Sequence, residues 1–324
     1  MLTARLTDPG YRPEALRQAR KGLEEAYLSF EHTLDGPLAM DVANLLASGD
    51  PRFGMPPKEV MMSRTLDEVR AWLTPQLAHG PIELAIVGDL DIDATIDAVA
   101  KTLGALPPRD PKPELADLRK VSFPAQPFVK DYAIATEIPR GLVRVYWPST
   151  DGIDVRRLRR LNLLGSIIND RLRVKIREEL AAAYSPGAGS VASDAYPGYG
   201  YFLTHVEIDP ETAAKVTQFV LAIGEDLAKN GVTEDEFNRA REPLLTQLKQ
   251  SLRDNTYWLG PVLSRAQEKP EVLDWCRTRD ADTMSITPAE LSALAKQYLT
   301  PDRASHITIT PVSVAPTESA PTAK

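Results

Sequence analysis

Arg177 and Tyr184 stand seven positions apart in "KIREELAAAYSP", residues 175–186, where a long amphipathic pattern gives way to glycine, serine and proline. A guanidinium carries five N–H donors and a phenol one O–H, so the two together could hold a polar group of a ligand. The chain shows no obvious catalytic motif for them to serve. A simpler reading therefore stays open: Arg177 pairs with a neighbouring glutamate, and Tyr184 packs at a domain edge.

The other residues that carry chemistry narrow the choice. The four histidines are His32, His79, His205 and His306, and the closest two are 47 positions apart. Neither H-E-x-x-H nor H-x-x-E-H occurs, so no zinc site is expected within the chain. His32 and His79 fall near helix ends, where imidazole can meet terminal carbonyls. The single cysteine, Cys276, cannot form an internal disulfide or a thiolate zinc site and reads as a small buried hydrophobe. "VGDLD" (87–91) lacks both G-x-G-x-x-G and the Walker lysine; Gly88 turns the chain there, and Asp89 or Asp91 caps a helix over 92–103. No G-x-S-x-G is present. With a net charge of −7 and both signs interspersed, the chain lacks the basic stripe of a nucleic-acid surface. It has no apolar run near the roughly 20 residues of a membrane span, and its opening residues lack the apolar centre of a signal peptide.

Positioning these residues is the task of a repeated unit. "TLDEVRAWLTPQLAHGPIELAIV" (65–87) echoes "TPAELSALAKQYLTPDRASHITIT" (287–310). Each begins with a threonine followed three residues later by glutamate, the signature of a capping box. Val69, Trp72, Leu73 and Leu77 match Leu291, Leu294, Ala295 and Leu299, and Ile82, Leu84 and Ile86 then alternate like Ile307 and Ile309. An offset of 222 residues, Thr65 against Thr287, reads as a duplicated domain. The second copy is expected to be complete: strands in "FVKDYAIA" and "GLVRVYWPS", a helix over 154–180, two or three strands within 190–209, helices near 210–230 and 233–254, and the repeated helix–strand unit. Counting back 222 from residue 126 passes Met1 by about 96 residues, so the first copy is expected to lack its opening strands and the chain to be part of something longer. The expected class is α+β: two related domains of mostly antiparallel sheet covered by helices, the first truncated at its N-terminus. The expected divisions are a truncated domain over 1–106, a proline-rich linker over 107–125, a complete domain over 126–312 and a disordered tail over 313–324.

"REELAAAYS", "IELAIVGDLDIDATIDAVAKTLGALP", "LTDPGY", "SGDPRFGMP" and "NTYWL" together resemble the pitrilysin/insulinase family of inverzincin metallopeptidases, from residue 1 to about 312. The resemblance implies two halves built from four related α+β domains, closing on a chamber that admits peptides. It places H-x-x-E-H and a zinc ion in an N-terminal half outside this chain, and makes this chain the zinc-free C-terminal half, with no zinc of its own. It implies that Arg177 and Tyr184 reach the other half's active site and stabilise the oxyanion. It further implies that Tyr196, Tyr199 and Tyr201 line the chamber as substrate contacts, although packing explains a tyrosine cluster equally well. Ala182, where relatives commonly carry glycine, departs from the pattern just before Tyr184. The partners implied are a peptide substrate and the zinc-bearing half, in the same protein or as a separate subunit. A non-catalytic partner or scaffold of the same family is the alternative. The resemblance favours the periplasm over the cytoplasm.

Overall fold

The computed structural model describes residues 2–180 and 186–312. Eight helices of eight residues or more are described: α1 Pro13–His32, α2 Leu66–His79, α3 Ile92–Ala100, α4 Val155–Leu180, α5 Ala213–Asn230, α6 Glu234–Ser251, α7 Glu271–Ser285 and α8 Pro288–Tyr298. Five strands are described: β1 Val129–Ala135, β2 Gly141–Pro148, β3 Gly187–Ala192, β4 Gly200–Ile208 and β5 Ser305–Val312. They form one sheet in the order β1-β5-β2-β4-β3. β1 and β5 run parallel, and the remaining pairings are antiparallel. The α+β class expected from the sequence is the one found.

The two echoing segments share local features. Thr65 and Thr287 both close capping boxes, with Glu68 and Glu290 reaching back to the N-cap. Short π-helical turns also recur, at Leu38–Val42 and Trp258–Leu263, again about 220 residues apart. The copies differ where a strand is expected. Segment 305–312 is a sheet strand, whereas its counterpart over 81–87 is extended and has no strand partner among the described residues. An extended segment needs neighbours to become a ladder, and alternation of side chains alone does not supply them.

Two compact units follow from the contacts, and neither follows the chain order. One holds 1–24, 58–116 and 244–284; the other holds 25–57, 117–243 and 285–324. The segment 25–57 of the first copy thus belongs with the second, and 244–284 of the second, near the matching offset, belongs with the first. The sequential division at residues 106 and 126 does not anticipate this exchange, because periodicity tells which face of an element is buried but not what buries it.

In the first unit, α3 and the extended segment 81–87 frame an apolar cavity of about 690 Å³, with Ile82, Leu84, Ile86, Ile96 and Val99 in its wall. In the second unit the sheet has two differently covered faces. Val143, Val145, Trp147, Phe202 and Val206 are fully buried on the face toward α4, α5 and α8. Gly224 of α5 is required there, since a Cβ would stand 2.8 Å from Trp147 Cζ2. On the opposite face, Val42 and Leu46 pack with Ile134, Leu142, Tyr146, Ile307 and Ile309. β2 is buried on both faces except at Arg144 and Pro148.

Candidate functional site

α4 carries Arg177. Its buried stripe, Leu161, Leu164, Ile168, Leu172 and Ile176, holds the helix against the sheet to within one residue of Arg177. A second anchor is Arg171. Its Nε and Nη2 donate to Glu236 at 2.6 and 3.0 Å, its Nη1 to Asp226 at 2.5 Å, and Nη2 also to the Gly231 carbonyl at 3.1 Å. Burial alone would raise the Glu236 carboxyl; the Arg171 bonds and the Thr233 amide overcome that and hold it at about 2. α4, α5 and the first turn of α6 are thereby tied together.

Arg177 itself is exposed and makes no hydrogen bond or ion pair among the described residues. Glu178 and Glu179 follow it at one and two positions, spacings that point away from it on a helix, and Glu179 is paired with Lys175 at 2.8 Å. The glutamate pairing left open by the sequence is therefore not formed. Tyr184 lies outside the described residues. The chain resumes at Pro186 and enters β3, which is the edge strand of the sheet.

The three tyrosines beyond it come together in one aromatic cluster. Ring centroids of Tyr196 and Tyr199 are 6.2 Å apart, and those of Tyr199 and Tyr201 6.1 Å. Tyr199 is 6% exposed, packs with Ala47 and Val121, and donates its hydroxyl to the Leu46 carbonyl at 3.3 Å. Burial pushes its phenol well above the ordinary range. Tyr201 is wedged between Tyr146 and Phe123, each 5.8 Å away. Tyr196 is half-buried beside Phe53, with the Arg52 guanidinium 5.5 Å over its ring. Tyr199 is buried, whereas Tyr196 and Tyr201 are each half-buried and keep some surface.

No group of three or more histidine, cysteine, aspartate or glutamate side chains placed to hold a metal occurs among the described residues. His32 Nδ1 lies 2.6 Å from the Ala135 carbonyl. Burial lowers the pKa of both His205 and His306. No helix is long and apolar enough to cross a membrane, among the described residues. Sequence reasoning missed Arg144: its register places it opposite His205 on β4 and Ile307 on β5, with no carboxylate across either pair.

Comparison with known proteins decides the family. The description "Peptidase M16 inactive domain" matches residues 64–244. This chain belongs to the M16 peptidase family. Among curated relatives, the M16 chain is similar to the chloroplastic stromal processing peptidase of Pisum sativum, 23% identical over 292 residues, covering 76% of this chain and 23% of that protein. The stromal processing peptidase of Oryza sativa subsp. indica is 22% identical over 284 residues, covering 73% and 23%. The chain thus spans about a quarter of the length of the curated relatives it matches. In fold, it is similar to the M16 inactive domain from Pseudomonas fluorescens, with a TM-score of 0.75 at 17% identity, covering 96% of this chain and 74% of that one. The periplasmic protease PqqL from Escherichia coli follows the same fold, with a TM-score of 0.70 at 15% identity over 92% of this chain and 33% of that one. So does the ferredoxin protease FusC in complex with Arabidopsis ferredoxin, with a TM-score of 0.70 at 14% identity over 93% and 32%.

Proposed function

We propose that this M16 chain is the zinc-free half of a peptide-hydrolysing metallopeptidase, donating Arg177 and Tyr184 to an active site whose zinc is held by a separate H-x-x-E-H half. The observation that supports this reading most directly is Arg177: an exposed cation without an ion partner among the described residues, at the end of a helix otherwise firmly anchored. An exposed helix arginine commonly meets a carboxylate three or four residues away; here those positions are Arg173, Val174, Leu180 and Ala181, and the helix offers it none.

Zinc, bound in the other half, would supply Lewis-acid activation of the scissile carbonyl and of water. The residues of this chain act on the substrate. As the carbonyl is attacked, charge gathers on its oxygen, and a guanidinium with a phenol hydroxyl beside it stabilises that charge more than it stabilises the ground state. Delivery from a separate half makes the donors available only when the halves close on a bound peptide. The complex of FusC with ferredoxin and the periplasmic setting of PqqL support a protein or peptide substrate and an exported location for this chain.

The test is reconstitution. The full chain is mixed with its zinc-bearing half, and hydrolysis of an internally quenched peptide is followed. Arg177→Ala and Tyr184→Phe should each lower kcat by about 10²–10³, with a smaller change in KM. Cleavage at an unchanged rate in both variants would reject the assignment, and tight peptide binding without cleavage in the reconstituted wild type would turn the reading to a non-catalytic partner.

A further inference from the structure

We propose that Arg144, with the hydroxyl of Tyr146 and the imidazole of His205, forms a binding site for a single carboxylate on the sheet face opposite α4 and α5. Arg144 occupies the middle of a cross-strand row on that face, Ile307, Arg144, His205 and Gly187. Tyr146 is the next residue of β2 on the same side. All lie in one compact unit.

Three observations point to an anionic ligand. First, among the described residues Arg144 has no ion pair, and its Nε is buried without an acceptor. An uncompensated, partly buried cation opposes folding, so a guanidinium kept there implies an occupant for at least part of the working cycle. Second, Tyr146 is completely buried, with its hydroxyl beside Arg144 and no acceptor for its proton among the described residues. Burial pushes this phenol up to about 12, the Arg144 charge opposing that rise, so the hydroxyl keeps its proton and remains a donor. Third, the charges around the row are otherwise accounted for. Lys130 is bonded to Asp41 at 2.7 Å, and Glu207 is paired with Arg140 at 3.4 Å. Neither supplies a counter-ion to Arg144.

The chemistry of the row selects the ligand. One guanidinium, one neutral phenol and an imidazole kept neutral by burial and by the Arg144 charge leave a single positive charge. Ile307 and Leu203 make the neighbouring wall apolar. A planar monoanion matches the arginine fork, whereas a dianion would carry an uncompensated charge into that wall. Gly187 sets the place of the imidazole: a Cβ there would stand 2.1 Å from His205 Cε1, so the glycine lets the ring lie against β3. Burial alternates along β4, with Phe202, Thr204 and Val206 sealed and Leu203 and His205 half-open, so the row is reachable from solvent. On the peptide-binding reading above, on which the identity of the ligand rests, the carboxylate is the C-terminus or an acidic side chain of a bound peptide.

The experiment needs no zinc and no turnover. Histidine ring signals of the full chain are followed by NMR during titration with acetyl-penta-alanine as free acid, with its C-terminal amide, and with an amidated version carrying one internal glutamate. The His205 signal, identified by its loss in His205→Asn, should move with the free acid or with the glutamate peptide and not with the plain amide. The peptide that moves it names the source of the carboxylate. In Arg144→Gln the apparent Kd should weaken at least tenfold, with the His32, His79 and His306 signals in place to report an intact fold. Arg144→Lys, which keeps the charge and loses the fork, should also weaken binding. Equal shifts from acid and amide, no shift from any peptide, or full affinity in Arg144→Gln would overturn the proposal. Reconstituted hydrolysis that fails while the His205 response persists would count against the catalytic reading alone.

Discussion

Replacing Arg171 by methionine keeps the length of the side chain and removes the guanidinium that joins α4 to α5 and α6. The side chains of Arg171 and Glu236 are 16% and 14% exposed, so the carboxylate left behind cannot simply rehydrate. A shift of the Glu236 carboxyl from 4.5 to about 2 corresponds to about 3.4 kcal/mol at 1.36 kcal/mol per unit. Part of that comes from the Thr233 amide and hydroxyl, which survive the substitution. Asp226, half exposed, adds little. The expected loss is therefore about 2–3 kcal/mol at neutral pH. The pH dependence is specific. Glu236 has a folded pKa below its unfolded one, so its contribution is complete above about 4.5 and disappears as the pH falls toward 2. At pH 3 the penalty for Arg171→Met should be less than half its value at pH 7. Trp147 is the one tryptophan among residues 25–57, 117–243 and 285–324. In a background with Trp72, Trp258 and Trp275 changed to phenylalanine, its fluorescence reports urea unfolding of that unit. A cycle with Glu236→Gln should return a coupling near 2 kcal/mol. A loss under about 0.5 kcal/mol, or a penalty independent of pH, would show that the cluster does not bear on stability as argued.

Other substitutions test the packing that positions Arg177 and Arg144. Gly224→Ala places a methyl group against the Trp147 ring and should cost about 1–3 kcal/mol, with an altered near-UV circular dichroism band from that indole. Trp147→Ala, at 1% exposure, should cost about 3–5 kcal/mol and abolish cooperative unfolding of the sheet. Thr65→Ala and Thr287→Ala remove equivalent capping boxes and should each cost about 1 kcal/mol, measured as a shift in urea midpoint. Hydrogen exchange should separate the two related segments: amides of 305–312 protected by their ladder, those of 82–87 exchanging with little protection.

Much of this architecture was legible before any coordinates. Leu161, Ile168, Leu172 and Ile176 recur at helical spacing, and they are the residues that seat α4. The capping threonines announced both repeats, and β1, β2 and β4 fall where alternation puts them. What stayed hidden has a common physical origin. Arg144 and His205 are 61 positions apart and meet only through the register of β2 with β4, which no local pattern encodes. The unpaired state of Arg177, by contrast, was within reach of helix spacing, since Glu179 stands four positions from Lys175 and only two from Arg177. The burial of Tyr199 was equally hidden, because Phe53, Ala47 and Val121, which pack around it, are all distant in sequence.

The exchange of segments between the copies has a practical corollary for anyone dissecting the protein. A fragment beginning near residue 117 keeps every strand of the sheet yet leaves Val42 and Leu46 behind, so Ile134, Leu142, Ile307 and Ile309 would face water. Each such side chain forfeits up to about 1.5–3 kcal/mol when fully wetted, more than a small fold can spare several times over. The proline-rich stretch that looks like a natural cutting point is therefore a poor one, and a productive dissection would carry residues 25–57 along, fused or supplied in trans.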